Sequence, residues 1–201
     1  AIPLWLIPLV GACLLLVEGL YAPAAYAGDH CVDPSNPGAC FGTIQAAVNA
    51  AASGDTITVA AGTYVEHVNT GSKLLHITGA GPGSTVVDGS NSGRVFRADA
   101  DLTLAEITVQ RGKAGANQYG GGIYAANALT LTNVYVLSST AGLDGGGAAV
   151  SEATTILGGV FFANRCTDAD CAGGGLYSGE LLMLSGAQFL TNTAQAGGGG
   201  A

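Results

Sequence analysis

Leu102-Thr103-Leu104-Ala105-Glu106-Ile107-Thr108-Val109 decides the fold, because its spacing returns three more times along the chain. Apolar residues hold the first, third, sixth and eighth positions, and the pattern reappears as Leu129, Leu131, Val134 and Val136. It reads next as Thr155, Leu157, Val160 and Phe162, then as Leu182, Leu184, Ala187 and Phe189. Leu104, Leu131, Leu157 and Leu184 thus recur at a nearly constant interval, and Leu75 and Ile77 fit one period earlier. Alternation within each half predicts a short strand with one face inward, and the intervening pair, such as Ala105-Glu106, predicts a corner. Such strands at such a period predict an all-β parallel β-helix, a solenoid with coils of about 24–28 residues stacked ~4.8 Å apart. The Leu-x-x-Leu-x-Leu spacing of a leucine-rich repeat is absent.

Glycine triplets begin at Gly120, Gly145, Gly173 and Gly197; their spacing is uneven, so length changes fall in loops. Glycine here suits tight corners and backbone with φ > 0. The longest interval, from Gly145 to Gly173, carries Arg165-Cys166-Thr167-Asp168-Ala169-Asp170-Cys171, read as a disulfide-tied bulge between rungs. Upstream, residues 43–52 place Ile44, Ala47, Val48 and Ala51 on one helical stripe. A solenoid needs its open end covered, so this helix is expected to be the N-terminal cap.

The chain has 201 residues, 33 of them glycine, with 48% hydrophobic and 10% charged residues and a net charge of −8. Clustered rather than periodic glycine excludes collagen, and the apolar content excludes disorder. The acidic balance argues against nucleic acid or anionic lipid as partners. Residues 1–27 are apolar but for Glu18 and end in Ala25-Tyr26-Ala27 before Gly28-Asp29, the pattern of an export signal cleaved between Ala27 and Gly28. A retained anchor is the alternative; otherwise membrane attachment would need a segment beyond residue 201. Gly197-Gly198-Gly199-Gly200-Ala201 resembles the start of another repeat, so residues 28–201 read as a β-helix truncated at its C-terminus, whose open end would self-associate. In an exported chain the close pairs Cys31/Cys40 and Cys166/Cys171 read as two local disulfides, with zinc as the alternative.

Thr43-Ile44-Gln45, Gly54-Asp55-Thr56-Ile57-Thr58-Val59 and Gly62-Thr63-Tyr64-Val65-Glu66 together resemble the opening of pectin-lyase-like right-handed parallel β-helix proteins. Ile77-Thr78-Gly79-Ala80-Gly81 and Thr85-Val86-Val87-Asp88-Gly89 continue the likeness, which spans roughly residues 40–112. Gly121-Gly122-Ile123-Tyr124 and Gly174-Gly175-Leu176-Tyr177 are similar to the Gly-Gly-Gly-Ile-Tyr repeats of polymorphic outer-membrane and adhesin-like bacterial surface proteins. The resemblance implies an extracellular or cell-surface protein of the bacterial outer envelope that acts on or binds polysaccharide. It does not fix an activity, because the fold hosts lyases, esterases, hydrolases and adhesins.

Few residues suggest chemistry. Arg97, Asp99 and Asp101 alternate with apolar residues and are expected to point outward from one strand, as a calcium-plus-arginine catalytic site would need. Asp168 and Asp170 are the other calcium candidates; no further cofactor is implied. Glu66 reads as part of the fold's opening, and His30, His67 and His76 have no metal spacing. Asn127, Asn133, Asn164 and Asn192 recur near corners, as stacked structural turns do. Tyr119, Tyr124, Tyr135 and Tyr177 are the candidates for stacking on sugar rings. The sequence favours a non-catalytic, adhesin-like scaffold presenting a surface to polysaccharide or a host-cell ligand. A polysaccharide lyase or hydrolase with its catalytic coils elsewhere is the alternative.

Overall fold

A computed structural model describes residues 28–201. The signal-peptide and anchor readings of residues 1–27 lie outside the described residues. The rest is a parallel β-solenoid of about six turns with one short helix. Each full turn lays a strand in each of three sheets; the first sheet has one further strand at the N-terminal end, and the first and second each have one further strand at the C-terminal end. The first sheet stacks Asp29–Val32, Thr56–Val59, Leu75–Thr78, Leu102–Ala105, Leu129–Thr132, Thr154–Leu157 and Leu182–Ser185. The second runs from Gly62–Val65 through Thr85–Asp88, Thr108–Gln110, Tyr135–Leu137 and Val160–Phe162 to Gln188–Leu190. The third stacks Val68–Gly71, Phe96–Ala98, Ile123–Ala125, Ala148–Val150 and Leu176–Ser178. Inward side chains form one continuous core, with Leu75, Leu104, Ile107, Leu131 and Val136 fully buried.

The register corrects one part of the sequence reading. Leu131 pairs with Ile156, not Leu157, and Val136 pairs with Phe161, not Phe162. Thr154, Ile156 and Phe161 therefore face the core, while Leu157 and Phe162 stand 47% and 43% exposed. The side-chain period is two, so a one-residue slip turns the whole set to the other face. The steps from Leu129 to Thr154 and from Thr154 to Leu182 are a short and then a long coil, matching the glycine steps Gly120 to Gly145 and Gly145 to Gly173.

The corners take two forms. After the first-sheet strands, the chain turns through left-handed backbone at Glu106 and Asn133, and at Gly158 and Gly186 where glycine stands instead. Beyond the second sheet, Arg111, Ser138, Ala163 and Thr191 do the same. The residues that follow, Ser139, Asn164 and Asn192, turn inward and build a polar column. Gly112 N–H donates to Ser139 Oγ (3.1 Å), Ser139 N–H to Asn164 Oδ1 (3.0 Å) and Asn164 N–H to Asn192 Oδ1 (3.0 Å). The glycine triplets face this column. Their first members, Gly120, Gly145 and Gly173, have φ of 63°, 67° and 64°. At the third members Gly122, Gly147 and Gly175, a Cβ would crowd the side chains of Ser139, Asn164 and Asn192 in turn. Of the four asparagines near corners, two thus lie in this interior column, whereas Asn133 pairs with Glu106 at the opposite corner (2.8 Å).

The helix, Ile44–Ala50, sits where the sequence put the cap. Thr43 caps it by accepting from Ala46 N–H, and both oxygens of Glu66 accept from Ile44 and Gln45 N–H at 3.0 Å, satisfying first-turn donors. Its apolar stripe is buried against the first coil. Asp55 ties this end together, accepting from Gly28 N–H (2.6 Å), Ala52 N–H (2.7 Å) and His30 Nε2 (3.0 Å). These bonds, the Gly28 amide foremost, lower its pKa from 3.8 to about 2. A lowered folded pKa stabilises above the unfolded value, and that stability is lost as pH falls through the folded one. An acid titration followed by circular dichroism should show stability falling between about pH 4 and pH 2, and less steeply in Asp55→Asn, where Asp88 still contributes. The same acid limb in both proteins would show that Asp55 does not link pH to folding.

Candidate functional site

The outward residues of the third sheet form one column in strict register, Asn69, Arg97, Tyr124, Ala149 and Tyr177. Where the repeat places tyrosine twice, the coil between them carries alanine. Tyr124 and Tyr177 therefore stand two rungs apart, roughly 10 Å, with a slot over Ala149. Tyr119 and Ser151 complete the walls of a cleft of about 260 Å³. Tyrosine offers a flat apolar face and a hydroxyl, a combination suited to ligands that are apolar on one side and polar at the edge.

Towards the N-terminal end the same face opens into a second cleft, of about 320 Å³, among His67, Asn69, Arg94, Arg97, Lys113 and Gln118. Arg94 stands at the junction. Its Nε donates to the Tyr119 and Gly120 carbonyls (2.8 and 3.1 Å), and its guanidinium lies 5.1 Å from the Tyr124 ring centroid. Burial, then the neighbouring Arg97, lowers its pKa from the usual arginine value. His67 donates from Nδ1 to the Arg94 carbonyl (2.7 Å), and its Nε2 lies 3.1 Å from Ser92 Oγ.

Arg97, Asp99 and Asp101 do not share a strand. The strand ends at Ala98, and the chain then corners towards the first sheet. Arg97 pairs with Asp99 at 3.1 Å, both half-exposed, while Asp101 accepts from Ala128 N–H (3.3 Å). Asp168 accepts from Asn117 N–H (3.1 Å) and so braces the loop that supplies Gln118 and Tyr119 to the groove. With one carboxylate already engaged, Asp168 and Asp170 alone do not make the roughly six-to-eight-oxygen shell of calcium. Among the described residues no group of three or more His, Cys, Asp or Glu side chains converges. The bonds Cys31–Cys40 and Cys166–Cys171 are both formed, closing loops by sequence separations of 9 and 5.

Tyr135 lies half-buried on the second sheet between Thr108 and Val160, away from the groove. His30 belongs to the cap, and His76 is exposed on the first sheet. Asp88 is fully buried. Burial works against its charge, but Arg111 and Gln110 and the Ser90 amide hold its pKa below the ordinary value, so it acts as a brace. Among the described residues no helix is long and apolar enough to cross a membrane. Compared with protein-family models, curated proteins and solved structures, the chain finds no match.

Proposed function

We propose that this chain is an exported, adhesin-like scaffold whose third sheet binds carbohydrate in the slot between Tyr124 and Tyr177. The single observation that carries the reading is the in-register column Tyr124–Ala149–Tyr177, two tyrosines separated by a coil that carries alanine. The solenoid supplies rigidity, since both tyrosines project from hydrogen-bonded strands and not from loops. Export is supported by the two disulfides, which persist in oxidising compartments, and by the leader-like composition of residues 1–27. The resemblance to pectin-lyase-like and polymorphic outer-membrane proteins points to polysaccharide as the ligand class. The catalytic alternative has less behind it, because its candidate acids pair locally or serve the backbone.

The test uses affinity electrophoresis through gels containing xylan, galactomannan or pectin. Tyr177→Ala is expected to weaken retardation by about tenfold, the effect of losing one aromatic anchor of ~1.4 kcal/mol. Ala149→Tyr fills the slot with the residue its neighbours already carry, and should abolish retardation. Retardation that survives both changes, or no retardation of the parent by any of the three, would overturn the proposal.

A further inference from the structure

The chain holds 14 acidic and six basic residues, yet the cleft beside the tyrosine slot is lined by Arg94, Arg97 and Lys113 together with His67. Half of the molecule's lysine and arginine thus meets in one depression, and among the described residues its lining includes no carboxylate. Asp99, paired with Arg97, is the one acid among the described residues that forms an ion pair with these cations. Arg94 has a demanding placement: its Nε is spent on two backbone carbonyls, which fixes the guanidinium over the Tyr124 ring. An arginine held in place at the wall of a cleft is pre-organised to pair with two oxygens of a carboxylate or a sulfate.

We infer that this basic cleft is a subsite for a single carboxylate or sulfate substituent on the glycan whose neutral part lies between Tyr124 and Tyr177. The inference rests on the carbohydrate reading and adds the charge of the ligand. Arg97 is one rung from Tyr124, so anion and sugar rings would follow one another along the solenoid axis. Lys113 reaches the cleft from the segment that bridges to Thr140, and Asn69 and Gln118 add amide groups. The net charge of −8 sets the density of charge that fits. A ligand with isolated anions meets the local cations, whereas a densely charged polymer would be repelled by the remainder of the surface.

The test is an array of glycan pairs identical but for one carboxylate or one sulfate, probed with the parent, Arg94→Gln, Lys113→Gln and Tyr177→Ala proteins. The charged member of a pair should bind about tenfold tighter than its neutral partner, and the preference should shrink as salt is raised. Lys113→Gln should reduce the preference while leaving neutral binding in place, whereas Arg94→Gln should reduce the preference and also weaken neutral binding, because Arg94 holds Tyr119 and Tyr124. Lys113→Gln keeps the test independent of any local rearrangement around Arg94, since Lys113 is exposed. Tyr177→Ala should weaken both members alike. Preference in carboxylate pairs alone, or in sulfate pairs alone, identifies the substituent. Equal binding within every pair, or a preference that survives both basic-site changes, overturns the inference while the carbohydrate reading stands. Tightest binding to heparin or polygalacturonate overturns the single-anion claim. No retention of any glycan sinks the carbohydrate reading itself and this one with it.

Discussion

Gly146→Ala is expected to destabilise the native fold severely, although the substitution adds one methyl group. Gly146 does not need left-handed backbone, so the obstacle is space alone. A Cβ there would overlap the backbone of Arg165 and lie 2.5 Å from the Gly174 carbonyl oxygen. Both obstacles are main chain, held in place by their own hydrogen bonds. Gly146 N–H donates to Gly173 O (3.2 Å), Gly121 N–H to Gly146 O (3.1 Å), and Arg165 N–H to Ser139 O (2.9 Å). Overpacking a core normally costs ~1–3 kcal/mol because side chains shift; where they cannot, the cost lies at or beyond ~3 kcal/mol. That is a large part of the ~5–15 kcal/mol that holds a typical domain together. Gly197→Ala is the control: Gly197 pairs with Ala172, so the preceding coil already carries alanine there, its φ is ordinary, and nothing lies within 4 Å of the added carbon. Urea unfolding should give Gly197→Ala a midpoint close to the parent, with Gly146→Ala strongly shifted or insoluble. Equal midpoints would show that the rungs separate easily, contrary to their close backbone packing.

The same column explains why the sequence is legible in some coils and not in another. Where the repeat length is constant, from Leu75 to Leu102 to Leu129, apolar alternation gives strands, register and inward faces together. In the coil that follows, Thr155-Ile156-Leu157 and Val160-Phe161-Phe162 offer apolar side chains at adjacent positions, so two registers fit the pattern almost equally. Hydrophobicity alone chooses the one that buries Leu157 and Phe162. The glycine triplets at Gly120, Gly145 and Gly173 carry the other, and they are the stricter marker because they tolerate no displacement. A position that must lack a side chain specifies register better than one that merely prefers an apolar one.

The proposed binding face is legible in halves. Tyr119, Tyr124 and Tyr177 stand out as candidate stacking residues, but the gap at Ala149 becomes meaningful only when its coil is set between theirs. The basic half escapes a sequence reading because Arg94, Arg97 and Lys113 come from a strand approach, a strand and a loop, with no motif spacing among them. A signal is nonetheless present: four of the six basic residues fall between positions 94 and 113 in an acidic chain. Arg97, Asp99 and Asp101 are all exposed, as the alternation predicts, but the short strand Phe96–Ala98 ends before Asp99, so the three do not project from one strand.

Asn164→Ala is the second change expected to be severe, and it tests the polar column directly. Asn164 is fully buried, and each end of its amide is used. Oδ1 accepts from Ser139 N–H (3.0 Å), while Nδ2 donates to Val136 O (2.8 Å) and to Asn192 Oδ1 (3.0 Å). Removing the amide leaves the buried Ser139 N–H without its acceptor and Val136 O without this donor, while Asn192 Oδ1 keeps its bond from the Asn164 N–H. Each orphaned group costs about 1–3 kcal/mol, which puts the sum at about 2–5 kcal/mol after partial rescue by water. Asn164→Ser should cost less than half as much, because serine already serves at the equivalent position one coil earlier. There Ser139 Oγ accepts from Gly112 N–H and donates to Leu137 O, both at 3.1 Å. A serine hydroxyl at 164 can accept from the Ser139 amide in the same way. Amide hydrogen exchange separates this account from simple loss of volume. In Asn164→Ala the Ser139 amide should exchange faster than the amides of Leu104 and Leu131 in the neighbouring strands, whereas Asn164→Ser should restore its protection. Uniform acceleration across all three would mean that the column contributes only bulk packing, and that its hydrogen bonds do not join one coil to the next.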